Sequence, residues 1–198
     1  MNKYPWLVRI WTIKPAEEES HCGGTLVATK YVVTACHCLY EYSKQAVIIN
    51  GKEVYLITRE YTPAELKVTI GDYKLDTINE TGNEKHVKVK SVRKHRNWHQ
   101  RIPGQSAAKT NGYDIAILEL EEEVDLTEHT PACLAKQTEG TKYDGEKAVT
   151  AGWGLTEIPV VGQPFEYPNE PSEAVSKTIY IIYKILHYII CCRKWLIL

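Results

Sequence analysis

Tyr31-Val32-Val33-Thr34-Ala35-Cys36-His37-Cys38 is the stretch on which the reading of this chain turns. An aromatic residue, two valines and a threonine in succession predict a strand. The chain then leaves that strand through a turn that displays a histidine between two cysteines. Upstream lies Cys22-Gly23-Gly24-Thr25-Leu26. Downstream, 77 residues after His37, Asp114 opens the apolar run Asp114-Ile115-Ala116-Ile117-Leu118. A histidine beside apolar residues is usually structural. A histidine paired with a carboxylate at the head of a strand suits a general base and its orienter. The carboxylate accepts from Nδ1, which leaves Nε2 free to take a proton from a hydroxyl.

The bulk composition narrows the setting. With 198 residues, 43% hydrophobic and 25% charged, the chain suits one or two globular domains and not a disordered segment. A formal net charge of −1 excludes a general attraction to nucleic acid or an anionic membrane. There are 13 Tyr and 5 Trp against 1 Phe and 1 Met, which with frequent β-branched residues favours strands. Strands are expected at 5–13, 25–28, 30–34, 46–49, 52–58, 66–70, 86–92 and 115–120, with Gly23-Gly24 separating the first two. Turn residues between them predict an all-β fold, a closed or sandwiched antiparallel sheet. Residues 100–112 read as a polar loop, 136–146 as a connector, and 147–156 as the start of a new unit.

Six cysteines stand at 22, 36, 38, 133, 191 and 192. Pairing Cys22 with either Cys36 or Cys38 closes a loop worth about 3 kcal/mol and implies an oxidising compartment. Met1 to Trp6 has no apolar core of the length a secretory leader needs; either the protein is cytosolic with reduced thiols or, the favoured expectation, the sequence opens inside a longer chain. The glycosylation sequon Asn79-Glu80-Thr81 fits secretion. His21, Cys22, Cys36, His37 and Cys38 form a compact Cys/His set, but Cys-x-Cys lacks the spacing of structural zinc sites. No metal or cofactor is expected.

Taken in order, Tyr4-Pro5-Trp6, Cys22-Gly23-Gly24, Thr34-Ala35-Cys36-His37-Cys38, Asp114-Ile115-Ala116-Ile117-Leu118, Pro131-Ala132-Cys133-Leu134 and Ala151-Gly152-Trp153-Gly154 resemble the trypsin/chymotrypsin-like serine proteases. The resemblance implies a two-barrel fold. A first antiparallel β-barrel over 1–140 carries His37 and Asp114, a second is only begun over 141–178, and 179–198 is a tail outside the family pattern. It also implies His37 as general base, Asp114 as its orienter, a Cys22–Cys38 disulfide, a secreted location and a protein or peptide substrate. Cys36 replaces an alanine of the pattern; it either competes for Cys22 or stays buried as a small apolar group. The His37-to-Asp114 separation exceeds the family's usual spacing. Insertions are therefore expected near 41–66 and 100–111, where loops absorb them cheaply.

Residues 72–84 resemble the family's sometimes calcium-binding loop, with Asp72, Glu80 and Glu84 as oxygen donors, but Lys74 among them favours plain solvated acids. Residues 85–101 hold Lys85, Lys88, Lys90, Arg93, Lys94, Arg96 and Arg101. Lys88 and Lys90 alternate with Val87 and Val89, as on a half-exposed strand, and an acidic partner or polyanion is the functional alternative. The tail Ile179 to Leu198 is interrupted by Lys184, His187 and Arg193-Lys194, so no membrane span is expected. An interfacial or buried amphipathic helix and translated non-coding sequence are the other readings of it.

The family's nucleophile lies in Gly-Asp-Ser-Gly-Gly-Pro, which this sequence does not contain. Its serines stand at 20, 43, 91, 106, 172 and 176, none in a glycine-rich turn. No IVGG-like activation terminus precedes Tyr4. The expectation is a serine endopeptidase domain whose 198 residues are inactive alone, for want of nucleophile and oxyanion hole. The alternative is a non-catalytic homologue that binds or regulates.

Overall fold

A computed structural model of the chain describes residues 3–14, 17–43, 45, 47–49, 52–74, 76–77, 82–98, 113–134, 148–154 and 169–176. Six strands close into an antiparallel barrel: β1 (Leu7–Lys14), β2 (Glu17–Ala28), β3 (Tyr31–Thr34), β8 (Leu66–Ile70), β9 (Lys85–Lys94) and β10 (Ala116–Leu120), in the order β1-β2-β3-β10-β9-β8. The period-2 patterns point inward as the sequence requires. In β9, Val87 and Val89 are buried while His86, Lys88 and Lys90 face out. In β10, Ala116, Leu118 and Leu120 are buried and Ile117 is exposed. Val8, Ile10, Leu26, Val32, Leu66, Val68, Ile70, Leu118 and Leu120 fill the barrel with at most traces of exposure. Each such side chain contributes about 1.5–3 kcal/mol of burial free energy.

Two element expectations need correction. Gly23-Gly24 does not separate strands; β2 runs through both glycines, pairing Gly24 with Val8 and Gly23 with Arg9. A Cβ on Gly24 would lie 2.8 Å from Val32 Cγ1 and 3.1 Å from the Val33 carbonyl oxygen. The glycine is there for close packing of β2 on β3, not for a turn. The single strand expected over 52–58 is two: β6 (Lys52–Val54), paired with β5 (Val47–Ile49), and β7 (Ile57–Glu60), paired with β4 (Tyr40–Tyr42). Exposed Tyr55 and Leu56 divide them. This excursion lies in the 41–66 region where an insertion is expected, and its strands pair with one another instead of joining the barrel.

Beyond the barrel, β11 (Ala148–Gly152) pairs with β12 (Ser172–Ser176). The hairpin is fixed to the barrel. Tyr4, Leu7 and Ala151 form a small buried cluster with Trp6 and Trp153 against it. Trp153 Nε1 donates to the Tyr73 carbonyl at 3.0 Å, and Lys3 pairs with Glu173. Among the described residues there is no α-helix and none long and apolar enough to cross a membrane. The 100–112 loop, the 136–146 connector, the sequon at Asn79, Glu80, Ser106 and the 179–198 tail lie outside the described residues.

Candidate active site

His37 sits on a 3-10 turn, Cys36–Leu39, that follows β3 directly. Its neighbours fix the turn from both sides. Cys36 and Leu39 are buried in the core, and Cys38 is bonded to Cys22 of β2, with the two Cα atoms 5.9 Å apart. The Thr34 hydroxyl donates to the Gly23 carbonyl at 2.9 Å, tying the end of β3 to β2. His37 is the one residue of the turn left facing outward, its side chain 54% exposed.

Asp114 reaches it through strand register. β10 pairs antiparallel with β3, and the last pair joins Ala116 to Thr34. Continuing that register by two residues sets Asp114 opposite Cys36 and beside His37, so antiparallel pairing erases the 77-residue separation. Both carboxylate oxygens are used. Oδ2 lies 2.7 Å from His37 Nδ1, and Oδ1 accepts from the His37 backbone N–H at 2.9 Å. An ionised carboxylate only accepts, so this contact puts the imidazole proton on Nδ1 and leaves Nε2 as the free base. Burial is the largest influence on Asp114 and pushes its carboxyl up. The hydrogen bonds from the His37 ring and backbone outweigh it and hold the group below the usual carboxylate range.

Several partners of this site carry no signal in the sequence. The Tyr42 hydroxyl donates to the His37 carbonyl at 3.2 Å. Tyr113, just before Asp114, stacks on His95 with ring centroids 4.4 Å apart. Cys36 is a free, buried thiol that donates to the Ile115 carbonyl at 3.0 Å, and burial pushes it up to about 11. Of the two open roles for Cys36, the structure shows the apolar one. Cys133 is free and exposed.

Cys22, His37 and Cys38 place potential ligand atoms within 4.8 Å of one another. Both sulfurs are spent in the disulfide, so this cluster offers no thiolate to a metal. In the 72–84 segment, Asp72 turns inward and takes Arg9 Nη1 at 2.6 Å, both side chains nearly sealed from water. The basic face of β9 is partly neutralised: Lys85 meets Glu122 at 3.1 Å, Lys90 meets Glu119 at 2.8 Å, and Lys94 meets Glu60 at 2.6 Å. Lys88, Arg93 and Arg96 stand exposed. Two serines are engaged away from His37. Ser43 Oγ donates to the Gln45 carbonyl, and Ser91 Oγ donates to Glu119.

Comparison with known proteins agrees with this geometry. A family model described as Trypsin matches residues 1–180. The chain is 30% identical over 162 residues to Melanization protease 1 of Drosophila melanogaster, which covers 79% of this chain and 37% of that protein. It is 28% identical over 173 residues to Serine protease ea of the same organism, covering 79% and 38%. With Phenoloxidase-activating factor 3 of Holotrichia diomphalia it shares 28% over 159 residues, covering 79% and 41%. The chain thus spans less than half the length of these relatives. An outward histidine held through Nδ1 by an aspartate, a barrel of six antiparallel strands, and a family match over nine tenths of the sequence converge: the chain belongs to the trypsin family of serine proteases.

Proposed function

We propose that this chain carries the base-bearing barrel of an extracellular serine endopeptidase that cleaves peptide bonds by acyl transfer. The observation that carries the reading is the 2.7 Å contact between His37 Nδ1 and Asp114 Oδ2 beside an exposed imidazole. In the forward step His37 Nε2 takes the proton of a serine hydroxyl as that oxygen attacks the scissile carbonyl. The imidazolium then gives the proton to the leaving amine. Asp114 keeps the ring in the reactive tautomer and stabilises the cation without taking the proton itself. Trypsin-like proteases act on protein substrates, so a peptide segment is the natural ligand for the open side of His37. The Cys22–Cys38 disulfide supports an oxidising, extracellular setting. No metal or cofactor enters this chemistry.

The serine belongs to sequence other than these 198 residues, so the 198-residue chain alone gives no peptidase turnover. The test has two arms. Refolded under oxidising conditions, the chain is assayed with a fluorogenic peptide; turnover blocked by a serine-directed phosphonate overturns the expected inactivity. The transcript downstream of Thr178 is then read for an in-frame serine flanked by glycines. If present, the longer product is expected to hydrolyse peptides and to lose about 10⁶ in turnover on His37→Ala, the scale known for other serine hydrolase triads.

A second reading, a non-catalytic homologue that binds a partner, is favoured by the want of any glycine-flanked serine among the six present. It expects no such serine in the transcript. It expects a binding partner lost on charge reversal of exposed Lys88, Arg93 and Arg96.

A further inference from the structure

Tyr113 holds a backbone conformation that a bulky L-residue avoids. Its φ is +74°, and it is the only non-glycine residue with positive φ among those described. It directly precedes Asp114. The Ile115 N–H donates back to the Tyr113 carbonyl at 2.8 Å, closing a three-residue turn with Asp114 at its centre. The left-handed Tyr113 is thus the entry to the turn that carries the Asp114 carboxylate.

His95 grips this turn twice. Its backbone N–H donates to the Ile115 carbonyl at 3.0 Å, and its ring stacks on Tyr113, 4.4 Å between centroids and 7° from parallel. The His95 ring is itself held, because its Nδ1 accepts the Asn97 N–H at 3.1 Å. A flat, close stack of this kind stabilises the ring position, and so the backbone that carries it. Tyr113 is 45% exposed, so burial alone does not explain why the strained conformation persists.

We propose that the His95–Tyr113 stack is a positioning device that keeps Tyr113 left-handed and thereby aims Asp114 at His37. This rests on the catalytic reading of His37 and Asp114. Without the stack, Tyr113 relaxes toward negative φ, and the next residue's carboxylate swings off both His37 nitrogens.

The test reads the far-downfield proton resonance of the Asp114-bound Nδ1–H of His37, in the full 198-residue chain labelled with ¹⁵N-histidine. Tyr113→Phe keeps the stack and is expected to keep the resonance. His95→Ala and Tyr113→Ala are expected to lose it while circular dichroism stays native. Tyr113→Asn introduces a residue that adopts the left-handed region readily. Combined with His95→Ala it is expected to restore the resonance, which a merely structural role for His95 would not do. A full resonance in folded His95→Ala or Tyr113→Ala overturns the proposal. If His95→Ala does not fold, unfolding of the His95→Ala/Tyr113→Asn double variant overturns it equally, because His95 would then be acting elsewhere. Failure of the catalytic reading looks different: the resonance is then missing from the unsubstituted protein, and the proposal falls with it.

Discussion

Two aspartates in this barrel meet a nitrogen partner at nearly the same distance, yet their surroundings differ sharply. Asp72 takes Arg9 Nη1 at 2.6 Å with side chains 3% and 9% exposed. Asp114 takes His37 Nδ1 at 2.7 Å with side chains 27% and 54% exposed. The Arg9 guanidinium offers only donors and no nitrogen that accepts a proton. Sealed against Asp72, it joins the start of the sheet to the end of β8. His37 instead has a second ring nitrogen able to take a proton, on a side chain that is more than half exposed. A short charged contact therefore does not mark chemistry by itself. The proposed chemistry rests on the exposed ring behind the second contact, which the first lacks.

The contrast is sharpest in stability. Arg9→Met or Asp72→Asn leaves a buried charge without its partner and is expected to cost about 3–5 kcal/mol. Asp114→Asn sits at a half-open site and is expected to cost about 1.5–3 kcal/mol, the range of a hydrogen bond to a charged group. Urea unfolding of the three variants decides it. Equal losses would erase the distinction between the sealed and the half-open pair.

The disulfide comes next. Cys38→Ser is expected to cost about 3 kcal/mol for a loop of this length. Cys36→Ala, one side of His37 away, removes only a small buried group and its bond to Ile115. Alkylation followed by peptide mapping is expected to modify exposed Cys133 well before Cys36, whose buried thiol stays protonated at neutral pH. Faster labelling of Cys36 would place its sulfur on the surface.

A smaller effect concerns acid. The Asp114 carboxyl sits below its ordinary value in the folded chain. Its contribution is fully present above about pH 4 and is lost as pH falls through the folded value. His129 acts in the same sense for a different reason. Burial holds it below the usual histidine range, so the folded state resists its protonation. Stability from that source is complete above about pH 6.5 and declines below it. Urea midpoints measured across pH should show two descending limbs. His129→Gln is expected to flatten the near-neutral limb and Asp114→Asn the acidic one. A near-neutral limb that survives His129→Gln would reassign it.

Much of the site was legible because it depends on local signals and one register. The run Tyr31 to Thr34 reads as a strand, Asp114 heads an apolar run, and the small residues around His37 mark a turn. The partners that hold the site were not legible. The left-handed backbone of Tyr113 contradicts what a tyrosine prefers, and only its stack on His95, set by the β9–β10 pairing, reveals why it persists. Arg9 looks like an outward cation on β1 until Asp72, 63 residues on, folds under it. Gly24 reads as a breaker in one dimension and as a packing contact in three. In each case a distant strand overrides the local preference.

The most direct test of the central claim is the ¹⁵N spectrum of the neutral His37 ring. A carboxylate-held ring is expected to carry its proton on Nδ1 and leave Nε2 bare, with that assignment lost in Asp114→Asn. A ring with its proton mainly on Nε2, unchanged by Asp114→Asn, would contradict the pairing of His37 with Asp114.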